Sequence, residues 1–424
     1  DMYNTAVGAS AGLSVTTGVQ NTLVGGLAGD AITTATDSTF VGYLAGSATT
    51  DGNHNTGIGS NALAANTGGQ NTAVGRDALA ANTSASFNTA VGRSALSANT
   101  EGNRNVAVGK DAMRANTLGS RNVAVGESAL DALNLTTATD SYNIGVGYFA
   151  GGSMTTGLNN TLIGGLAGDA ITASNDNVAV GTAALTTNTL SSENVAIGRS
   201  ALQELNHTTA TDGFNVAVGS DAGKLVTTGT NNVIIGGLAG DALTDADLNV
   251  AVGDNALSAD TLGSRSTAIG RSALSSQNFT TATDTYNTAV GFNAGTAVTT
   301  GVNNTLLGAL AGDALTDADH NTAVGRGSLG ADTLGSRAVA VGFGALSSQN
   351  FTTATDNYNV AVGFNAGVSV STGIYNTLIG GLAGDALTTG NNNVAIGLNA
   401  LTNDTNGDQS VAIGNDALNT QNFT

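Results

Sequence analysis

Three histidines, His54, His207 and His320, are the only imidazoles in the chain, and they stand far apart at repeat ends. A metal site needs three or four clustered donors, so these read as exposed loop residues. The serines all belong to the same repetitive turns, and no Ser/His/Asp constellation can be assembled from them. The string Gly-Gly-Leu-Ala-Gly-Asp, starting at Gly25, Gly164, Gly236 and Gly380, has the outline of a phosphate loop. It carries no lysine and no following helix, so it reads as a coil corner. Two acidic triplets, Asp241, Asp245, Asp247 and Asp313, Asp317, Asp319, follow such corners. Oxygen-rich loops in a stacked array can hold Ca²⁺, which makes these six the candidate ligands for a structural calcium. Asp is also common at turns, and the Gly-rich calcium nonapeptide is not matched. No other cofactor is expected.

Five Asn-x-Thr sequons, at Asn134, Asn206, Asn278, Asn350 and Asn422, recur every 72 residues and are formal N-glycosylation acceptors. Phe279, Phe351 and Phe423 stand beside three of them. Either these rings tuck back onto their own coil, or they form a row of contacts about 19 Å apart to a neighbouring chain, fibre or ligand. No catalytic cluster emerges, and the expectation is a protein that is not an enzyme.

Composition narrows the elements that could hold such residues. The 424 residues include 60 Gly and no Cys, Pro or Trp, with 41 % apolar residues that are mostly Ala, Val and Leu. Plain disorder would show lower hydrophobicity and more charge than the 10 % present. Collagen is excluded by the missing proline and the missing three-residue glycine period. No run of 18 apolar residues exists, so no membrane-spanning segment is read here. With 12 Lys+Arg against 31 Asp+Glu the formal charge is −19, which disfavours nucleic acid and anionic membrane surfaces as partners.

The repeat governs everything else. The string Asn-Thr/Val-Ala-Val/Ile-Gly recurs 24 times, from the glycine at Gly8 to that at Gly414. Most spacings are 17; Gly59 to Gly75 is 16, and four are 21. From Gly126 onward the order 21, 17, 17, 17 repeats, so the second part of the chain, 143–424, consists of four-coil super-repeats of 72 residues. The extra residues fall in long loops near 131–142, 203–214, 275–286 and 347–358. The chain starts Asp1-Met-Tyr-Asn4, like Asp284-Thr-Tyr-Asn287, and stops at Gln421-Asn-Phe-Thr424, like Gln349-Asn-Phe-Thr352. Both ends thus fall in the same kind of loop, as expected of a window cut from a longer array or a processed subunit joined head to tail.

Counted from the motif glycine, position −1 is Val or Ile in 23 repeats, −2 is Ala in 16, and −4 is Asn in 20. Position −3 is Thr, Val or Ile, so each repeat encodes a short strand with β-branched residues on one face and Ala on the other. Downstream, +3 is Ala in 23 repeats, and +4 is Leu in 12, Gly in 11 and Met113 in one. The helical period is absent and Gly too frequent for helical repeats. The expected fold is one all-β array over 1–424, a β-solenoid of about 24 coils and roughly 115 Å. The Val/Ile row is expected to fill an inside seam, and the Asn rows to bond amide to amide along the axis. Ala opposite that seam suggests that both strand faces are buried, hence several chains packed through their small-residue faces, with a homotrimer the favoured count.

Residues such as Asn71-Thr-Ala-Val-Gly-Arg-Asp-Ala-Leu79 and Asn122-Val-Ala-Val-Gly-Glu-Ser-Ala-Leu130 resemble the head repeats of trimeric autotransporter adhesins, and are similar to repeats of bacteriophage tail-fibre proteins. The resemblance covers all 24 repeats. It implies a left-handed parallel β-roll, three chains wound as one homotrimeric fibre, and attachment to cells or matrix; it offers no catalytic residues. The repeat is longer than is usual in that family, and neither a coiled-coil stalk nor a membrane anchor is seen. The expected function is therefore a structural and adhesive extracellular fibre, binding itself and a receptor on a cell surface or in matrix. A bacteriophage tail-fibre shaft is the alternative setting. An ice-binding solenoid is less favoured, because Thr-Ala-Thr recurs only once per four coils, and a carbohydrate-active β-helix enzyme less still.

Overall fold

The structure, a computed structural model, describes residues 2–423. Asp1 and Thr424, on which the reading of the two chain ends partly rests, lie outside the described residues. The chain divides into two compact units, Asp1–Phe214 and Asn215–Thr424, so the division falls at the end of the second long loop. Among the described residues there is no helix. Three-residue strands form a series of twelve in the first unit, from Thr5–Val7 to Val195–Ile197, and another twelve in the second, from Val216–Val218 to Val411–Ile413. Within each series every strand pairs in parallel and in register with the one that follows: Thr72 faces Thr89, Ala73 faces Ala90 and Val74 faces Val91. Thr305, Leu306 and Leu307 face Thr322, Ala323 and Val324 in the same way. The fold is a parallel β-solenoid of about 24 turns at roughly 17-residue spacing.

Each strand is short because the residues at its two ends are committed elsewhere. The motif glycines adopt φ between +125° and +145°, a region closed to residues with a Cβ. They also touch the next coil: a Cβ on Gly59 would lie 2.6 Å from the Gly75 carbonyl oxygen, and one on Gly308 would lie 2.7 Å from that of Gly325. After the glycine the chain turns sharply through left-handed residues. Around Gly92 these are Phe87 before the strand (φ 63°) and Ser94 and Leu96 after it (φ 57° and 51°).

The strand faces the opposite way to the sequence expectation. The Ala row at −2 points inward and is fully buried, as at Ala73, Ala90 and Ala107. The Val/Ile row at −1, expected as an inside seam, lies outside; Val91 is 36 % exposed. The inference of packed chains from an outward Ala face is thereby overturned. The coil is narrow, and its interior is shared between −2, the buried +3 alanine, +4 and +7. Leu79, Leu96 and Leu130 at +4 fill the space left by Ala at −2. Where a coil or its successor carries Leu, Ile or Phe at −2, as with Leu23, Phe40, Leu162, Ile234, Leu306 and Leu378, position +4 is Gly. A Cβ on Gly46 would press 2.5 Å against the Phe40 ring, and one on Gly295 would lie 2.6 Å from the Leu306 methyl of the next coil. The Leu/Gly alternation at +4 is thus a volume complement across neighbouring coils.

Two polar ladders run through this interior. The Asn at −4 accepts the backbone N–H of the next Asn on its Oδ1, and donates Nδ2 to a corner carbonyl. Asn88 receives Asn105 N at 2.9 Å and donates to Gly102 O at 2.9 Å. Amide-to-amide bonding, expected of the Asn rows, is present at −4, as where Asn122 Nδ2 donates to Asn105 Oδ1 and Asn393 Nδ2 to Asn376 Oδ1, each at 3.1 Å. It recurs at +7, where Asn82, Asn99 and Asn116 donate Nδ2 to the Oδ1 of Asn66, Asn82 and Asn99, at 2.6, 2.9 and 2.9 Å. The long coils add a second strand pair. Thr139–Asp140 lies beside Gly119–Ser120, Thr211–Asp212 beside Ser191–Ser192, Thr283–Asp284 beside Gly263–Ser264 and Thr355–Asp356 beside Gly335–Ser336, all parallel. The inserted residues therefore leave the coil and dock back on the preceding one.

Candidate functional site

The candidate calcium ligands do not converge. Asp245 accepts the Thr228 hydroxyl at 2.5 Å, and Asp247 accepts the Thr230 N–H at 2.6 Å. Asp317 accepts the Thr300 hydroxyl at 2.7 Å, and Asp319 the Val302 N–H at 2.8 Å. These carboxylates reach back to the preceding coil and tie it down. Asp241 and Asp313 sit at another corner, and burial pushes both carboxyls above their ordinary range. No group of three His, Cys, Asp or Glu residues positioned to hold a metal exists among the described residues.

The long-loop residues separate into buried and exposed sets. Phe279 and Phe351 are each only 6 % exposed, so the reading of them as an outward row of contacts is corrected. Phe279 donates its N–H to Asp260 at 3.1 Å and its carbonyl accepts Leu262 N–H at 3.1 Å, which ties the residue back onto the preceding coil. Phe351 lies against Gly335. Leu135 and His207 occupy the same place, so His207 is a buried residue and not the exposed one expected. Phe423, the last described residue, is 59 % exposed. His54 and His320 are exposed as expected, with His54 3.8 Å from Asp37.

The five sequon asparagines are exposed, and each closes a column of Thr hydroxyls. Within the column, Thr100 donates to Thr117 O at 3.2 Å. At its end, Thr117 donates to Asn134 Oδ1 and Thr189 to Asn206 Oδ1, each at 2.7 Å. Asn278, Asn350 and Asn422 accept in the same way at 3.2, 3.1 and 3.2 Å. The Thr424 of the last sequon lies outside the described residues. At the glycine-rich corners, the N–H groups of Leu166 and Gly168 go to Tyr148 O and Ala184 O, each at 2.9 Å, so they serve coil stacking rather than a phosphate.

The surface with the most distinctive chemistry is the outer strand face. Its centre is the outward pair −3 and −1: Thr and Val in the first coils, Val or Ile with Val or Ile in many later ones. Columns −5 and +1 flank it. Exposed aromatics crowd these two columns, as at Phe87, Tyr142, Tyr286 and Tyr358 in one and Tyr148 and Phe364 in the other. Cations stack on them: Arg104 lies 5.1 Å from the Phe87 ring centre, and Arg326 lies 5.8 Å from that of Phe343. At three long loops Arg, Asp and Tyr form one unit. Arg121 pairs with Asp140 at 2.8 Å beneath Tyr142, Arg265 with Asp284 at 3.0 Å and Arg337 with Asp356 at 3.0 Å. Most of the large apolar residues that remain exposed lie in these four columns.

Sequence reasoning missed a buried polar cluster that marks every fourth coil of the second unit. Asp260 is fully buried and accepts three donors: Gly263 N at 3.1 Å, Phe279 N at 3.1 Å and Gln277 Nε2 at 2.6 Å. Gln277 also donates to Ser266 at 2.7 Å and accepts Asn287 at 2.9 Å. Asp332 with Gln349, and Asp404 with Gln421, repeat the arrangement at 2.6 and 2.7 Å. The signal was present: Ser266, Ala338 and Ser410 replace Asn at −4 just where the longer Gln stands at +7. No pocket opens among the described residues. No protein-family model matches the chain, and the search of curated proteins returns no match to it.

Proposed function

We propose that the chain is a non-catalytic structural and adhesive fibre module, working outside the cell on a cell surface or in a virion tail fibre. In this reading several copies associate into a left-handed homotrimeric fibre and attach to a receptor on a cell or in matrix. The observation that carries it is the outer strand face: Val or Ile at −1 beside Thr, Val or Ile at −3, uncharged from coil to coil, with exposed aromatics recurring in the columns on either side. Soluble monomers rarely expose contiguous apolar patches above a few hundred Å². The interior supports it too, since −4 and +7 are spent on stacking one coil upon the next. A tail-fibre shaft has the same physical requirements and remains the alternative setting.

Sedimentation with electron microscopy of the purified chain tests this reading. Rods of several copies are expected, and a strictly monomeric particle at micromolar concentration would overturn it. A second reading draws on one feature. Six successive strands, from Thr5–Val7 to Thr89–Val91, set Thr at −3 and Val or Ile at −1 on the outer face, as an ice-binding solenoid would. Ice crystals that grow with unchanged habit in the presence of the protein would remove it.

A further inference from the structure

We propose that Asn134, Asn206, Asn278 and Asn350 are acceptor sites for asparagine-linked sugar on the folded coil. The inference is independent of the fibre reading above. It goes beyond the motif, because the structure separates these sequons from others in the same chain. Each stands at +8, where every coil other than the long ones and that of Gly414 carries Thr or Ser. In each the chain alternates: Asn is exposed, the next residue is only 6 or 7 % exposed, and Thr136, Thr208, Thr280 or Thr352 is exposed again. The Thr hydroxyl of the preceding coil reaches only Oδ1 of the asparagine, so Nδ2 has no partner among the described residues. The N–H and hydroxyl groups of Thr136, Thr280 and Thr352 are likewise unbonded to described residues, because the inserted segment leaves the ladder there and rejoins it only at Thr139, Thr283 and Thr355. A transferase that reads Asn and Thr together therefore meets an amide, a hydroxyl and a backbone N–H that are all free.

The other sequons lack this access. Asn82 is fully buried and donates Nδ2 to Asn66 at 2.6 Å and to Ala85 O at 2.9 Å. Asn159 donates Nδ2 to Asp176 at 3.0 Å, and the N–H of its Thr161 is held by Asn177 O at 2.8 Å. Thr305, of the Asn303 sequon, donates its N–H to Asn321 O at 2.8 Å. Asn403 donates Nδ2 to Asn419 O, and Thr405 donates its hydroxyl to Phe423 O at 2.7 Å. Asn422 is not included, since its Thr424 lies outside the described residues. In the transfer, asparagine Nδ2 attacks the anomeric carbon of a sugar carried on a pyrophosphate, in a nucleotide sugar or on a lipid. The bond from that carbon to the pyrophosphate oxygen breaks, the pyrophosphate ester leaves with the electron pair, and one Nδ2 proton passes to the transferase.

The folded full chain is incubated with purified asparagine glycosyltransferases in two arms, one supplied with UDP-glucose and one with a lipid-pyrophosphate oligosaccharide. Sites are read by mass spectrometry of proteolytic peptides. Addition at the four long-loop asparagines is expected in at least one arm; a hexose-sized increment assigns the nucleotide sugar as donor, a larger one the lipid. Asn159 and Asn303, which must wait for local opening of a strand, are expected to be occupied at least about tenfold more slowly. The double variant Thr280→Ala, Thr352→Ala removes no bond within the chain. It is expected to lose addition at Asn278 and Asn350 while Asn134 and Asn206 remain occupied, with circular dichroism checking that the fold is kept. A folded chain left unmodified in both arms would overturn the inference, as would rates at Asn159 and Asn303 equal to those in the long loops.

Discussion

A carboxylate at a half-buried corner illustrates how one residue can oppose the coil it belongs to. Asp241 Oδ1 is buried without a hydrogen-bond partner, and burial raises the carboxyl above its unfolded value. A folded pKa above the unfolded one means that the ionised form weakens the fold, and that stability rises as pH falls through the folded value. Asp241→Asn is therefore expected to raise the melting temperature at pH 7, with the gain shrinking below about pH 4, the ordinary carboxylate range. Melting curves of both proteins at the two pH values check this, and an equal difference at both would contradict it. Asp77 has the opposite sign: bonds from Asn61 and then Arg76 lower its pKa, so its contribution is lost as pH falls. The motif glycines are more exacting. In Gly59→Ala the new methyl would meet the Gly75 carbonyl at 2.6 Å, from a backbone with φ +132°. Strain and overpacking of about 1–3 kcal/mol each predict a loss of roughly 3 kcal/mol or more, measured by denaturant unfolding.

At the scale of the element, the long loop is held by what lies beneath it. Asp332 is buried and accepts Gly335 N, Phe351 N and Gln349 Nε2. Those donors fix the corner, the ring and the polar ladder at once. Asp332→Ala strands three buried donors, at about 1–3 kcal/mol for each that water cannot reach. The expected outcome is a loss of roughly 2–4 kcal/mol, with new proteolytic cleavage near Phe351. Arg337→Ala should cost far less, about 0.5 kcal/mol, because its pair with Asp356 is open to water. If the two variants unfolded at the same denaturant concentration, the buried carboxylate would not be the anchor described here. The second strand pair, Gly335–Ser336 with Thr355–Asp356, is short, and two residues of pairing could not hold the loop by themselves.

At the scale of the whole molecule, each coil contacts mainly its two neighbours, so stability should follow nearest-neighbour addition. Removing one full period, residues 76–92, joins Gly75 to Arg93 and preserves every ladder. That deletion is expected to keep a cooperative, β-rich fold with nearly unchanged stability per coil. Removing half a period, 76–84, places inward residues outward and should abolish cooperative unfolding in circular dichroism. The same additivity makes the outer face repetitive from coil to coil.

The sequence by itself determined the period, the strand positions, the need for glycine after each strand and the buried role of the −4 asparagines. Those follow from spacing and from residues whose backbone or hydrogen-bond requirements are local. Which way the strand faces was decided only by the tertiary structure. A three-residue strand with small residues on one side and β-branched ones on the other can be turned either way, since both sides are apolar. The choice belongs to residues distant along the coil, Leu or Gly at +4 and the buried row at +7, which leave room for alanine and not for a second Val column. The fate of Phe279 and Phe351 was hidden for the same reason: the carboxylates that turn their backbones inward, Asp260 and Asp332, lie 19 residues earlier. Contacts of that kind exist only once one coil lies upon another.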